Sequence, residues 1–290
     1  MLSDRAFISR LFFRFGFGPK PGEFSSALKL GPERFLTKIL STDSKSQLPD
    51  LSLDLLGPFP MAGTIARGQF QVKMQEQRSS LVNWWLDRMA TVDNPLTERM
   101  TWFWHGHWAT SLAKVEYSTS MLVQNQTLRK YALGNFKDLS GAMIMDGALQ
   151  YWLDNNSNTV KAPNENLARE LMELFTLGVN RYSENDIKQA ARALTGYTTD
   201  RESGAVTFNP AKHDASILNI LGKSANFDAN SLVQFLVSRD DCATFIAERI
   251  WFRFINDSTP LPDNSIQNSF SDRDILKAIT AAARHQAMRD

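Results

Sequence analysis

Apolar residues recur along this chain at helical spacing. Near the start, Phe7, Ile8, Leu11, Phe12 and Phe13 alternate with Arg10 and Arg14, which predicts an amphipathic helix. Met100, Phe103, Trp104 and His107 fall on one helical face, and so do Leu167, Leu171, Leu174 and Phe175. The punctuation between such runs is also helical. Ser3 caps the first run, Pro21 opens a second that Gly31 closes, and Pro32 opens a third. The longest run extends from Thr64 to Val92, and Asn94-Pro95 restarts the chain with a cap and a first-turn proline. Further helices are expected over 115–133, stopped at Gly134, and over 137–146. Pro163 opens the next helix and Gly178 ends it. Ser183 and Asp186 have capping-box spacing, repeated at Ser271 and Asp274. Helices over 229–237, 241–255 and 272–288 complete the set.

Only residues 197–208 read as strand, a small hairpin about Gly204. Residues 42–63, with their prolines, form the one long loop. The expected fold class is therefore all-α, a multi-helix bundle with at most one small β-hairpin, in a single helical domain over 1–290.

Composition narrows the classes. With 43% hydrophobic and 22% charged residues the chain is not disordered. Lys plus Arg is 32 against 31 Asp plus Glu, so no overall field draws the protein to nucleic acid or to an anionic membrane. Cys242 is the one cysteine, which excludes an intramolecular disulfide and leaves the redox compartment open. No run approaches the roughly 18 apolar residues a membrane span needs. A cytoplasmic location is the default expectation, and an exported one holds if a leader precedes this chain.

Three segments carry candidate chemistry. In Trp102-Phe103-Trp104-His105-Gly106-His107-Trp108, two histidines sit among three tryptophans. In a continuous helix residues two apart point about 200° from each other, so one ion can bind both only if the helix breaks at Gly106. The plainer reading is a buried aromatic helix with hydrogen-bonded histidines. In the second segment Asn166, Arg169, Glu170 and Glu173 fall within an arc of about 100°. They form either a solvated face laced by ion pairs or the wall of a pocket, with the carboxylates as acid–base groups. The third segment places His213 beside Asp214 after Asn209-Pro210, as a ligand pair or as turn chemistry. No His-Glu-x-x-His, phosphate-binding glycine loop, Gly-x-Ser-x-Gly or paired Cys-x-x-Cys occurs.

Five ordered blocks carry a resemblance. They are Arg14-Phe15-Gly16-Phe17-Gly18-Pro19, Phe103 through Trp108, Asn164 through Leu171, Ala190-Ala191-Arg192-Ala193-Leu194-Thr195-Gly196-Tyr197, and His213-Asp214. Together they resemble the domain of unknown function 1800 family, over about residues 10–255. The resemblance implies a helical bacterial protein, one often extended at the C-terminus and often exported. On that pattern this chain, which stops at Asp290, is either truncated or compact. It also implies a sulfatase-like partner protein.

Two functions follow. In the first, Glu170, Glu173 and Arg169 are catalytic, and His105, His107, His213 and Asp214 hold a divalent transition metal such as zinc, iron or manganese in a metal-assisted hydrolase. The convergence this needs turns the polar face of the 164–177 helix inward, toward the histidines. In the second, the same residues form a satisfied polar interior, and the tryptophans make a recognition surface for a partner protein or a glycan, in a non-catalytic binding module or scaffold.

Overall fold

A computed structural model of the protein describes residues 3–41, 48–255 and 273–289, with isolated positions at 261, 268 and 270, and side chains as far as Arg284. The chain is mostly α-helical with two small two-stranded sheets.

The first three helices follow the punctuation. In α1 (Asp4–Arg14) the Ser3 hydroxyl accepts from the Ala6 N–H, and Phe7, Ile8, Leu11 and Phe12 are buried. α2 (Glu23–Leu30) ends at Gly31, and α3 (Pro32–Ile39) begins at once on its proline. Of the long loop, the described part, 48–63, is without helix or strand. α4 (Ile65–Thr91) is capped by Thr64, whose hydroxyl accepts from the Arg67 N–H. In α5 (Leu96–His107) the Asn94 side chain accepts the Leu96 N–H at 3.2 Å, so Asn94 is the working cap.

The expected helix over 115–133 is two helices, α6 (Leu112–Val115) and α7 (Ser118–Lys130). Glu116 between them takes φ 70°, a left-handed conformation that no helix tolerates. α8 (Phe136–Ile144) and α9 (Gly147–Trp152) follow. α10 (Asn166–Glu170) continues into a π-helical turn, Leu171–Thr176, and stops at Gly178 with φ 90°. Such wide turns are rare and cluster at functional sites. α11 (Glu184–Ala193) carries the predicted Ser183–Asp186 capping box.

β1 (Tyr197–Thr199) and β2 (Val206–Phe208) pair antiparallel, as the hairpin signal predicts. A second hairpin corrects the limit of one. β3 (Leu218–Ile220) pairs with β4 (Lys223–Ala225) across Leu221-Gly222, with φ 50° and 81°. A tight turn with two positive φ values usually advertises itself as Asn-Gly or Asp-Gly. Here leucine occupies the first position, and its N–H is held by Asp186 Oδ1 at 2.7 Å. The turn is thus secured from α11, outside the hairpin's own sequence.

α12 (Ala229–Ser238), α13 (Asp240–Phe254) and α14 (Ile275–Arg289) close the chain. Ser271 and the His285 side chain lie outside the described residues; Asp274 itself caps α14, accepting the Lys277 N–H at 2.9 Å. The main core runs from Phe7 in α1 to Ala283 in α14, and a smaller one lies under α4 and α7 around Leu81, Trp84 and Met121. α5 stands between them. Trp104 and His107 face the main core, while His105 faces Trp85 on α4.

Candidate functional site: an aromatic cleft at His107

Regular hydrogen bonding in α5 passes Gly106, for the Trp108 N–H donates to the Trp104 carbonyl. The helix ends near Gly106, as expected, but only after His107 is in register. His105 and His107 therefore point to opposite sides and cannot share an ion.

His107 is 3% exposed and sits in an aromatic box. The rings of Trp104, Trp108, Phe175 and Phe136 have centroids 5.4, 5.6, 6.0 and 6.2 Å from its own. Its Nε2 lies 3.0 Å from the Phe175 carbonyl oxygen. A carbonyl only accepts, so Nε2 carries the hydrogen and Nδ1 keeps a lone pair. That lone pair is buried and has no partner among the described residues. The π-helical turn supplies the carbonyl: Phe175 belongs to the last turn before Gly178, where helix carbonyls need donors from elsewhere. Burial, reinforced by the Arg249 charge, pushes the imidazole down to about 3 against the opposing Phe175 bond, so it stays neutral.

His105 packs edge-on against Trp85 at 5.3 Å. Burial lowers its pKa too. Trp85 Nε1 donates to Glu98, which also receives Arg88 Nε at 2.8 Å and Arg129 Nε at 2.6 Å. Burial of Glu98 pushes its carboxyl up; the bonds and charges of Arg129 and Arg88 outweigh this and hold it below its ordinary value.

His213 is elsewhere again. Its Nδ1 lies 3.0 Å from the Thr195 carbonyl, and its ring packs edge-on against Phe208 at 5.2 Å. Asp214 turns away from it, accepting Arg192 Nε at 2.7 Å and the Ser216 hydroxyl at 2.6 Å. Gly196 allows this loop to lie close: its φ is 89°, and a Cβ there would meet the Asn209 carbonyl at 2.9 Å. The fourth and fifth blocks of the sequence are thus one packed joint.

The polar face of α10 and the π-turn does not point inward as expected. Arg169 clasps Glu184 with two bonds of 2.8 Å and reaches Glu165 at 3.1 Å, at half-exposed positions. Glu173 accepts the Tyr182 hydroxyl. Glu170 has its carboxyl raised, first by burial and then by the Glu173 charge. The inward face is the apolar one, Leu167, Ala168, Leu171, Met172 and Phe175, because only that face removes apolar area from water. Among the described residues no histidine nitrogen is bonded to a carboxylate, and no three of the His, Cys, Asp and Glu side chains are placed to hold a metal ion. The predicted residues thus lie in four surroundings, two of which meet: the helix of Glu170 and Glu173 reaches His107 through its backbone.

At that point there is a cleft of about 610 Å³ between α5 and α13. Trp102, Phe103, His107, Phe245, Arg249 and Phe252 line it, with Glu248 beside them. The Arg249 guanidinium lies over the Phe245 ring at 5.2 Å, and burial lowers its pKa. A larger cavity of about 990 Å³ under α2 and α3 is lined by none of the predicted site residues. Sequence reasoning missed Glu98, Arg249 and Phe252. Glu98 shares a face with Thr101 and His105 at helical spacing, a signal that was readable, but its partners come from α4 and α7.

The sequence model of a family described as "Protein of unknown function (DUF1800)" matches residues 10–285. No curated protein and no solved structure matches the chain. The match covers the whole array just described, from α1 to α14, and this chain belongs to that family.

Proposed function

We propose that the protein is a non-catalytic binding module that takes a saccharide ligand in the cleft between α5 and α13. The observation that carries this reading is the aromatic wall of that cleft: Trp102 and Phe252 remain 43% and 60% exposed beside buried His107, with Arg249 and Glu248 at hand. Exposed aromatic faces offer apolar stacking area to a sugar ring, and a few charged groups fix its orientation. A cleft of this volume lies within the range of small-ligand sites. The sulfatase-like partner implied by the family resemblance would then supply any chemistry. Arg169, Glu170 and Glu173 serve in this reading to join the α10 segment to α11 and Tyr182, and His105, His213 and Asp214 to secure packing.

The test pairs ligand screening with metal analysis. Binding of oligosaccharides to an array should be lost in Trp102→Ala and in Phe252→Ala, both exposed positions where folding is preserved. If purified protein instead carries stoichiometric zinc, iron or manganese that His105→Ala or His213→Ala removes, and the array stays blank, the metal-assisted hydrolase replaces this reading.

A further inference from the structure

The walls of the cleft between α5 and α13 are aromatic, and its ionisable groups differ in their surroundings. Glu248 and Arg253 are exposed on α13, where water solvates their charges. His107 is buried and neutral. Arg249 is half-buried, so it brings a partly desolvated positive charge to the wall. Arg253, four residues further along α13, lies on the same side of that helix and adds to the positive charge. Glu248 is the chain neighbour of Arg249, but consecutive helical residues do not face each other, and the two form no ion pair among the described residues.

Oxygen atoms hold comparable guanidinium groups elsewhere in the protein. Arg129 and Arg192 pair with Glu98 and Asp214, while Arg181 and Arg273 donate to backbone carbonyls. Among the described residues Arg249 donates to no oxygen at all. It lies over the Phe245 ring, 5.2 Å from the centroid, and that ring lines the cleft too. A ring offsets part of the charge but offers the five N–H donors no oxygen. A cation drawn partly out of water without such a partner is costly, and burial lowers the Arg249 pKa accordingly. A planar carboxylate matches the guanidinium fork with two parallel hydrogen bonds and cancels the charge.

We infer that the ligand of this cleft is an acidic sugar, a uronic acid whose carboxylate is held by the Arg249 guanidinium while its ring lies against the exposed aromatic faces of Trp102 and Phe252. The inference rests on the saccharide reading of the cleft and names the class of sugar. The aromatic faces accept any sugar ring, and Arg249 selects the charged one.

The experiment is calorimetric titration of the full chain with glucuronate and with glucose at equal ionic strength. The two differ in one group, a carboxylate in place of a hydroxymethyl. Benzoate, a carboxylate with no sugar, is the third probe. Glucuronate should bind saturably and roughly tenfold or more tighter than glucose, the step expected of a charge-assisted hydrogen bond. Arg249→Gln should remove that preference and leave glucose binding as it is. Arg249→Lys, which keeps the charge and loses the fork, should retain part of it. Added sodium chloride should weaken glucuronate binding and spare glucose. The melting temperature of Arg249→Gln without ligand should not fall, since the charge it removes has no ionic partner to strand. Should that variant fail to fold, the wild-type comparison of glucuronate with glucose decides alone. The inference is overturned if glucuronate does not bind, if glucose binds as tightly, or if folded Arg249→Gln binds glucuronate as the wild type does. Glucose binding keeps the saccharide reading in each of these cases. Benzoate binding that Arg249→Gln abolishes, with neither sugar bound, overturns the inference and removes the saccharide reading with it.

Discussion

Glu98 and Arg99 are neighbours on α5, and the helix sends them into opposite electrostatic worlds. On one side Glu98, 2% exposed, pairs with Arg88 and Arg129 and accepts the Trp85 indole N–H, and Asp50 adds a second carboxylate at Arg88. On the other, Arg99 donates its Nε–H to the Arg14 carbonyl and lies 5.6 Å from the centroids of the Phe17 and Trp102 rings, with no ion pair among the described residues. The first orders three charged side chains from three elements, whereas Arg99 is held by one carbonyl and two rings. The first is complete within the described residues and joins α4, α5 and α7. Ion pairs hold one side of α5, and backbone and aromatic contacts hold the other.

The largest effect should come from opening the closed cluster. Glu98→Gln leaves Arg129 without a carboxylate and Arg88 with only the exposed Asp50, at 3.4 Å. We expect a loss of about 3–5 kcal/mol in urea unfolding, since removing one partner of a buried pair strands the other. A loss below about 1 kcal/mol would mean that the Glu98 pairs behave as exposed surface ion pairs.

Next comes the group that closes its balance by discarding charge. His107 is held neutral, with its pKa at about 3 against an ordinary 6.5. Between those values the unfolded chain binds a proton that the folded chain refuses, so stability falls as pH falls below about 6.5. At pH 4 the loss is about 3.5 kcal/mol, from roughly 2.5 pH units at about 1.4 kcal/mol each. The trend is best measured as urea midpoints across pH 4–7 in an Asp146→Asn background, because Asp146 slopes the other way. A flat profile in that background would put a proton on His107 in the folded state.

Asp146 itself gives the smallest of these effects. It is a buried carboxylate whose partners are neutral, the Gln124 amide at 2.7 Å and the Leu149 N–H at 2.9 Å. Burial raises its pKa from 3.8 to about 6, more than those bonds lower it. The folded state therefore keeps a proton that the unfolded chain releases, and stability is lost as pH rises through that window. Asparagine keeps the acceptor and removes the ionisation. Asp146→Asn should gain about 1–3 kcal/mol at pH 7.5 and nothing near pH 4, read from the same unfolding curves.

What the sequence by itself determined is the set of local choices. Ser3, Thr64, Ser183, Gly31 and Gly178 start and stop helices because caps and left-handed glycines act within a few residues of themselves. The first hairpin is likewise local. The five blocks name the family, because order and spacing survive in the sequence without any knowledge of contacts. The tertiary structure decided the rest, wherever a residue's partner lies far along the chain. The turn at Leu221 depends on Asp186, Glu98 on Arg88 and Arg129, and His107 on a carbonyl that a π-helical turn presents. The inward reading of the α10 face failed for the same reason. Helical spacing tells which residues share a face, but burial of apolar area decides which face turns inside, and here Leu167, Leu171 and Phe175 outweighed the carboxylates.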